Sequence, residues 1–235
     1  MTQVRTIFLH FPKTGGTSLA KHLRAAHSSS YQVDRWRDLD LKKRVGSELL
    51  YGHLMFDQIC DLSSKCYLIT LFRHPVERAI SFYHHVKRSS DHPNYQLAQK
   101  LTFDEFAQKG AGSQQYLSQL TASIANDAIE YYGTVAERLA IATERLALFD
   151  HVATTDRLSE SMIFLSKKYG LQLEDMKLEN TGNHGVVRDD LSETTLDAIY
   201  TKSWADIELY ELAVQRAGVD LGSPDSLSTN TSSSS

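Results

Sequence analysis

Short apolar runs alternate with amphipathic stretches along this chain. The run Thr6-Ile-Phe-Leu-His-Phe11 is rich in β-formers and ends in Pro12-Lys13-Thr14-Gly15-Gly16-Thr17-Ser18, which predicts a strand entering a tight loop. From Thr17 to about Ala26 good helix formers follow, with Leu19 and Leu23 four apart, so strand, glycine loop and helix come in that order. A second apolar segment spans Leu49 to Phe56, and a third, Cys66-Tyr-Leu-Ile-Thr-Leu-Phe72, is nearly continuous. Its lack of alternation predicts burial on both faces, as in a parallel sheet covered by helices. Pro75 suits the first turn of a following helix whose Val76, Ile80, Tyr83 and Val86 share a face.

The alternation continues. Phe103 to about Leu120 reads as helix interrupted near Gly110 and Gly112, and Val135, Leu139, Ala142, Leu146 and Phe149 form a cleaner helical stripe. His151 to Thr155 predicts another strand, and Leu158, Met162, Leu165 and Tyr169 stripe a helix that Gly170 can end. Asn180 to Arg188 is a polar loop, and one long helix should then bury Leu196, Tyr200, Trp204, Ile207, Tyr210 and Val214. The fold class expected is α/β: a single three-layer domain over residues 1–221, with a mostly parallel central sheet and a P-loop-like strand-loop-helix phosphate site. Residues 222–235, half of them serine, should form a flexible tail.

Composition narrows the chemistry. At 235 residues, 41% hydrophobic and 23% charged, the chain suits one domain of ordinary size. It has no run of about 18 apolar residues and no signal-like start, so a cytoplasmic location without membrane contact is the expectation. Two cysteines, Cys60 and Cys66, lack metal-site spacing. A net charge of −4 argues against a nucleic-acid partner, so any anion must be held locally.

The glycine loop is where that can happen. Backbone N–H groups and the positive end of a helix dipole suit phosphate or sulfate, Lys13 adds a full charge, and Thr14, Thr17 and Ser18 add hydroxyls. The plainer alternative is that Gly15-Gly16 only turns the chain and Thr17 caps the helix. In nucleoside-triphosphatase loops the lysine follows the last glycine. Here Lys13 precedes both, and the strand Cys66 to Phe72 ends in Arg73 rather than a carboxylate for Mg²⁺. That order favours direct binding of an anion by side chains, with no metal required.

At these residues a resemblance enters. His10-Phe-Pro-Lys-Thr-Gly-Gly-Thr-Ser-Leu19 and Phe72-Arg-His-Pro-Val-Glu-Arg-Ala-Ile-Ser-Phe-Tyr-His84 resemble the two cofactor motifs of sulfotransferases that use 3′-phosphoadenosine-5′-phosphosulfate (PAPS), most closely the branch of heparan sulfate 2-O-sulfotransferases and their bacterial relatives. Asp206-Ile-Glu-Leu-Tyr210 resembles that family's C-terminal signature and reads as structural. The resemblance implies that Lys13 neutralises charge on the bridging oxygen, and that Thr14, Gly15, Gly16, Thr17 and Ser18 wrap the 5′-phosphate. It also implies that Arg73 and Ser81 take the 3′-phosphate, with Arg188 as a further phosphate ligand. The plainer readings, which the two motifs together disfavour, are Arg73 as a surface cation and Ser81 as an ordinary helix residue.

Transfer to an alcohol benefits from a general base. Tyr51-Gly-His-Leu-Met-Phe56 resembles the family segment Gly-His-x-x-Phe, which makes His53 the candidate; a turn histidine is the plainer reading. Some relatives carry a second histidine two residues earlier, where this chain has Tyr51, so the pair is not reproduced in sequence. His10 is expected to point into packing; His84, His85 and Arg88 could face an acidic acceptor but read more plainly as a solvated helix end, and Glu77 and Arg78 as helix-surface contacts. Loops between Ser89 and Gly112 are expected to shape the acceptor pocket. The expected activity is sulfuryl transfer to a hydroxyl, on a carbohydrate or another small polar metabolite. An ATP-dependent P-loop kinase and a non-catalytic nucleotide-binding module are the alternatives.

Overall fold

The computed structural model describes residues 5–40, 43, 46–62, 64–110, 112–125, 128–169 and 187–220. The expectations for Gly170, for the loop from Asn180 up to Arg188 and for the tail 222–235 lie outside them.

Five strands form one parallel sheet: β1 (Thr6–His10), β2 (Ser30–Val33), β3 (Leu49–Gly52), β4 (Tyr67–Phe72) and β7 (His151–Thr154), in spatial order β2-β3-β1-β4-β7. A two-stranded antiparallel hairpin, β5 (Ser123–Ala125) and β6 (Ala128–Glu130), stands apart. The helices are α1 (Gly16–Ala25), α2 (Pro75–Arg88), α3 (Tyr95–Lys100), α4 (Phe103–Gln108), α5 (Gln115–Thr121), α6 (Val135–Leu146), α7 (Leu158–Tyr169), α8 (Glu193–Lys202) and α9 (Trp204–Asp220).

The near-continuous apolar run in β4 is explained by its two covered faces. Leu68 and Phe72 pack with Ile7, Leu9 and side chains of α5, α6 and α9, while Ile69 and Leu71 pack with Phe8 and side chains of α1 and α7. This is the expected three-layer arrangement. A third cluster joins α2 to α3, α4 and α8.

The interruption expected between Phe103 and Leu120 separates α4 from α5, because Gly110 and Gly112 adopt left-handed backbone (φ 71° and 77°) and Gln114 does so as well (φ 53°). One expectation is corrected and one element was not foreseen. The long last helix breaks at Ser203 into α8 and α9. Strand β2 is short and mostly exposed, so no apolar run marks it.

All five strands point the same way, so their C-terminal ends share one edge of the sheet. In such sheets ligands bind there. The loop from Phe11 to Gly15, His53, Arg73 and Thr155 all follow strand ends at this edge.

Candidate active site

The loop between β1 and α1 is shaped by two left-handed residues, Lys13 (φ 70°) and Gly15 (φ 80°). Left-handed backbone is costly for a lysine, and alternation of this kind turns successive N–H groups into an anion-binding concavity. Gly15 is the N-cap of α1, with no side-chain cap and no acidic residue in the first turn. Thr17 therefore does not cap the helix. The N–H groups of the first turn remain for a ligand, at the positive end of the dipole. Gly16 is required for space: a Cβ there would lie 2.3 Å from Cδ2 of His10.

The hydroxyl of Thr14 is not offered to a ligand. It is buried and donates to the Phe11 carbonyl at 2.8 Å, so Thr14 can contribute only through its backbone. Thr155 locks the loop by placing its hydroxyl 2.8 Å from the Thr14 carbonyl and 2.9 Å from that of Phe72. Thr17 is exposed and Ser18 buried.

Lys13 is half-buried and has no hydrogen bond or ion pair among the described residues. Burial lowers its pKa, and Arg88 and Arg73 lower it further. A cation held among cations without a carboxylate is a site that an anion would complete.

His53 follows β3. Its Nδ1 lies 2.8 Å from the Asp34 carbonyl. A carbonyl only accepts, so Nδ1 carries the hydrogen and Nε2 keeps the basic lone pair. Burial lowers its pKa, opposed by Asp34 and reinforced by Lys13, which keeps the ring neutral near pH 7. Register explains its neighbour: Leu9 pairs with Gly52, so His10 and His53 continue adjacent parallel strands side by side. Their ring centroids are 5.1 Å apart. The two histidines are thus brought together from adjacent strands, which spacing along the sequence does not report.

Arg73 follows β4. Its Nε lies 3.2 Å from Glu77, an i,i+4 pair on the α2 surface as expected. Tyr116 grips its backbone, donating to the Arg73 carbonyl at 2.5 Å and accepting from its N–H at 3.1 Å. Arg78, expected at the surface, is buried instead. Its guanidinium lies 5.4 Å from the Tyr116 ring centroid, 3.8 Å from Asp206 and 2.5 Å from the Gly112 carbonyl. Asp206 in turn accepts from the N–H groups of Tyr116 (3.2 Å) and Leu117 (3.0 Å), capping α5. Burial raises the Asp206 carboxyl, opposed by Arg78 and those N–H groups. The C-terminal segment is structural, as expected, and its task is to hold the element that holds Arg73.

Ser81 is buried on α2. Arg188 begins a short turn and donates to the Tyr200 hydroxyl at 3.0 Å. Its charge, after burial, lowers the pKa of His74, the residue before α2, which places it on the Arg73 side of the site. His85 and Arg88 lie in the last turn of α2, Arg88 exposed as a solvated helix end would be and His85 half-buried. They share a face of α2 with Ser81, at spacings of four and three, and Lys13, Arg88 and His53 all act on His85. That spacing was the available signal.

A cavity of about 400 Å³ adjoins His53, lined by Pro12, Trp36, Arg37, Met55 and Gln119 among others. Its wall is the segment after β2, and no described residue from Ser89 to Gly112 lines it. Among the described residues no group of His, Cys, Asp and Glu could hold a metal ion, and no helix is long and apolar enough to cross a membrane.

The model of the sulfotransferase family matches residues 3–213. The crystal structure of mouse sulfotransferase SULT7A1 complexed with PAP is similar in fold, with 12% sequence identity, 92% of this chain and 90% of that chain covered, and a TM-score of 0.55. A sulfotransferase from Alicyclobacillus acidocaldarius also matches, with 12% identity, 94% and 96% coverage, and a TM-score of 0.50. No curated protein sequence gives a significant match.

Proposed function

The chain belongs to the sulfotransferase family, and from that premise we propose that it moves a sulfuryl group from PAPS to a hydroxyl, releasing adenosine 3′,5′-bisphosphate. Lys13 carries this reading. It is a half-buried cation without a counter-ion among the described residues, set in a loop whose helix N-terminus has no side-chain cap. Loop N–H groups, Thr17 and Ser18 hold the 5′-phosphate, and Arg73, Ser81 and Arg188 take the 3′-phosphate. His53 accepts the proton of the attacking hydroxyl as the new S–O bond forms. The bond from sulfur to the 5′-phosphate oxygen breaks, and Lys13 balances the charge left there.

The acceptor enters the cavity beside His53. Its volume fits a small molecule, and an indole ringed by polar side chains suits a polyhydroxylated one, a carbohydrate or another small polar metabolite. The mammalian PAP complex supports the choice of nucleotide, and the 2-O-sulfotransferase-like Gly-His segment supports the choice of base.

The test is transfer of labelled sulfate from PAPS, in EDTA, to a panel of metabolites and glycans. The wild-type protein should label an acceptor, and His53→Ala should bind adenosine 3′,5′-bisphosphate but not transfer. Binding of Mg²⁺-ATP with indifference to a 3′-phosphate would point to a kinase instead. Tight binding with no transfer across the panel would point to a non-catalytic module.

A further inference from the structure

We propose that His10 belongs to the reaction centre, its Nε2–H donating a hydrogen bond to the sulfuryl group in transit; this rests on the sulfotransferase reading above.

The ring of His10 is held on three sides. It stacks on Phe8 (centroids 5.4 Å, interplanar angle 19°), its Cδ2–Nε2 edge lies against Gly16, and His53 stands 5.1 Å away. Nε2 is buried and has no hydrogen-bond partner among the described residues. Buried polar atoms are nearly always paired, so an orphan at the edge of an anion loop calls for a partner that arrives with the ligand.

Position identifies the partner. The transferred group must pass from the phosphate held at the N-terminus of α1 to a hydroxyl beside His53. His10 spans that interval, touching Gly16 on one side and His53 on the other. The groups around it also fix its protonation. Burial, then the nearby charges of His53 and Lys13, press its pKa down to about 3, so the ring stays neutral. A neutral imidazole with its proton on Nε2 donates to an oxyanion and does not compete with His53 for the acceptor's proton. The residue is a ligand of the transferred group and not a second base.

The experiment compares full-length wild-type protein with His10→Phe, which keeps a ring against Phe8, Gly16 and His53 but removes the donor. Affinities for PAPS and for adenosine 3′,5′-bisphosphate are measured by calorimetry, with turnover and melting temperature alongside. His10→Phe should weaken PAPS about tenfold or more and slow turnover by a similar factor, while leaving the bisphosphate within about twofold. Unchanged turnover, or equal loss for both nucleotides, overturns the proposal. If His10→Phe does not fold, His10→Gln and His10→Asn decide. The Gln amide reaches the place of Nε2 and the Asn amide does not, so Gln must turn over faster, and equality overturns the proposal. Wild-type protein that binds neither nucleotide would sink the sulfotransferase reading itself, whereas wild-type transfer that His10→Phe leaves intact sinks this inference alone.

Discussion

The two ends of the proposed nucleotide site are built in opposite ways. The loop from Pro12 to Ser18 is one contiguous stretch, and its shape comes from its own backbone: left-handed Lys13 and Gly15, then an uncapped helix start. The Arg73 end is assembled from afar. Arg73 is positioned by Tyr116, Tyr116 lies beside Arg78, and Asp206, near the far end of the chain, pairs with Arg78 and caps α5. The difference teaches that one anion site can be read from a local motif, while the other depends on a buried polar network that a motif only hints at.

The largest test of this contrast is Asp206→Ala. Removing one partner of a buried pair leaves Arg78 unpaired and should cost about 3–5 kcal/mol of stability, read as a lowered denaturation midpoint. In protein that still folds, selectivity for a 3′-phosphate should suffer more than binding of the 5′-phosphate. Equal loss at both ends would break the comparison. Lys13→Ala acts at the other end: turnover should fall by roughly 10²–10³ with little change in melting temperature, as for loss of one preorganised electrostatic contact. Turnover within a few-fold of wild type would reject its assigned role.

Arg73→Ala should weaken adenosine 3′,5′-bisphosphate by about 10–100-fold, the worth of a hydrogen bond to a charged group, while leaving adenosine 5′-monophosphate nearly unaffected. The same loss for both nucleotides would remove Arg73 from the 3′ side. Tyr116→Phe, which deletes only the hydroxyl gripping the Arg73 backbone, should have an effect of about 1 kcal/mol in the same direction. A variant with wild-type 3′-phosphate selectivity would show that the grip is dispensable.

Proton linkage sharpens the contrast differently, because the loop side holds half-buried histidines whose pKa values burial lowers. The unfolded chain takes up protons at these rings as pH falls below 6.5, whereas folded His10 refuses one until about pH 3. Stability should therefore decline through that window, and the decline should be shallower in His10→Phe. Identical pH dependence of melting in the two proteins would show that His10 is not held neutral. The burial of His53 likewise keeps it basic below its ordinary value, so the acid limb of turnover should lie below pH 6.5.

Much of this was legible in sequence. Glycine loops and unbroken apolar strands are local signals, so β1, β3, β4 and β7, the helices after β1, β4 and β7, and the positions of Lys13, His53 and Arg73 at strand ends could be read directly. Register and distant packing could not. The approach of His10 to His53 follows from the pairing of Leu9 with Gly52, which no periodicity reports. The inward turn of Arg78 depends on Asp206, more than a hundred residues away. Strand β2, at the sheet edge, lacks the apolar run that marks its neighbours, so the segment after it, Asp34 to Asp38, which walls the cavity beside His53, was missed.

The central claim is that this chain holds a nucleotide bearing phosphates at both ends. Calorimetric titration in EDTA with adenosine 3′,5′-bisphosphate and, separately, adenosine 5′-monophosphate tests it most directly. The account predicts metal-independent binding of the bisphosphate, at least about tenfold tighter than the monophosphate. Equal affinities, or no binding of either until Mg²⁺ is added, would contradict it.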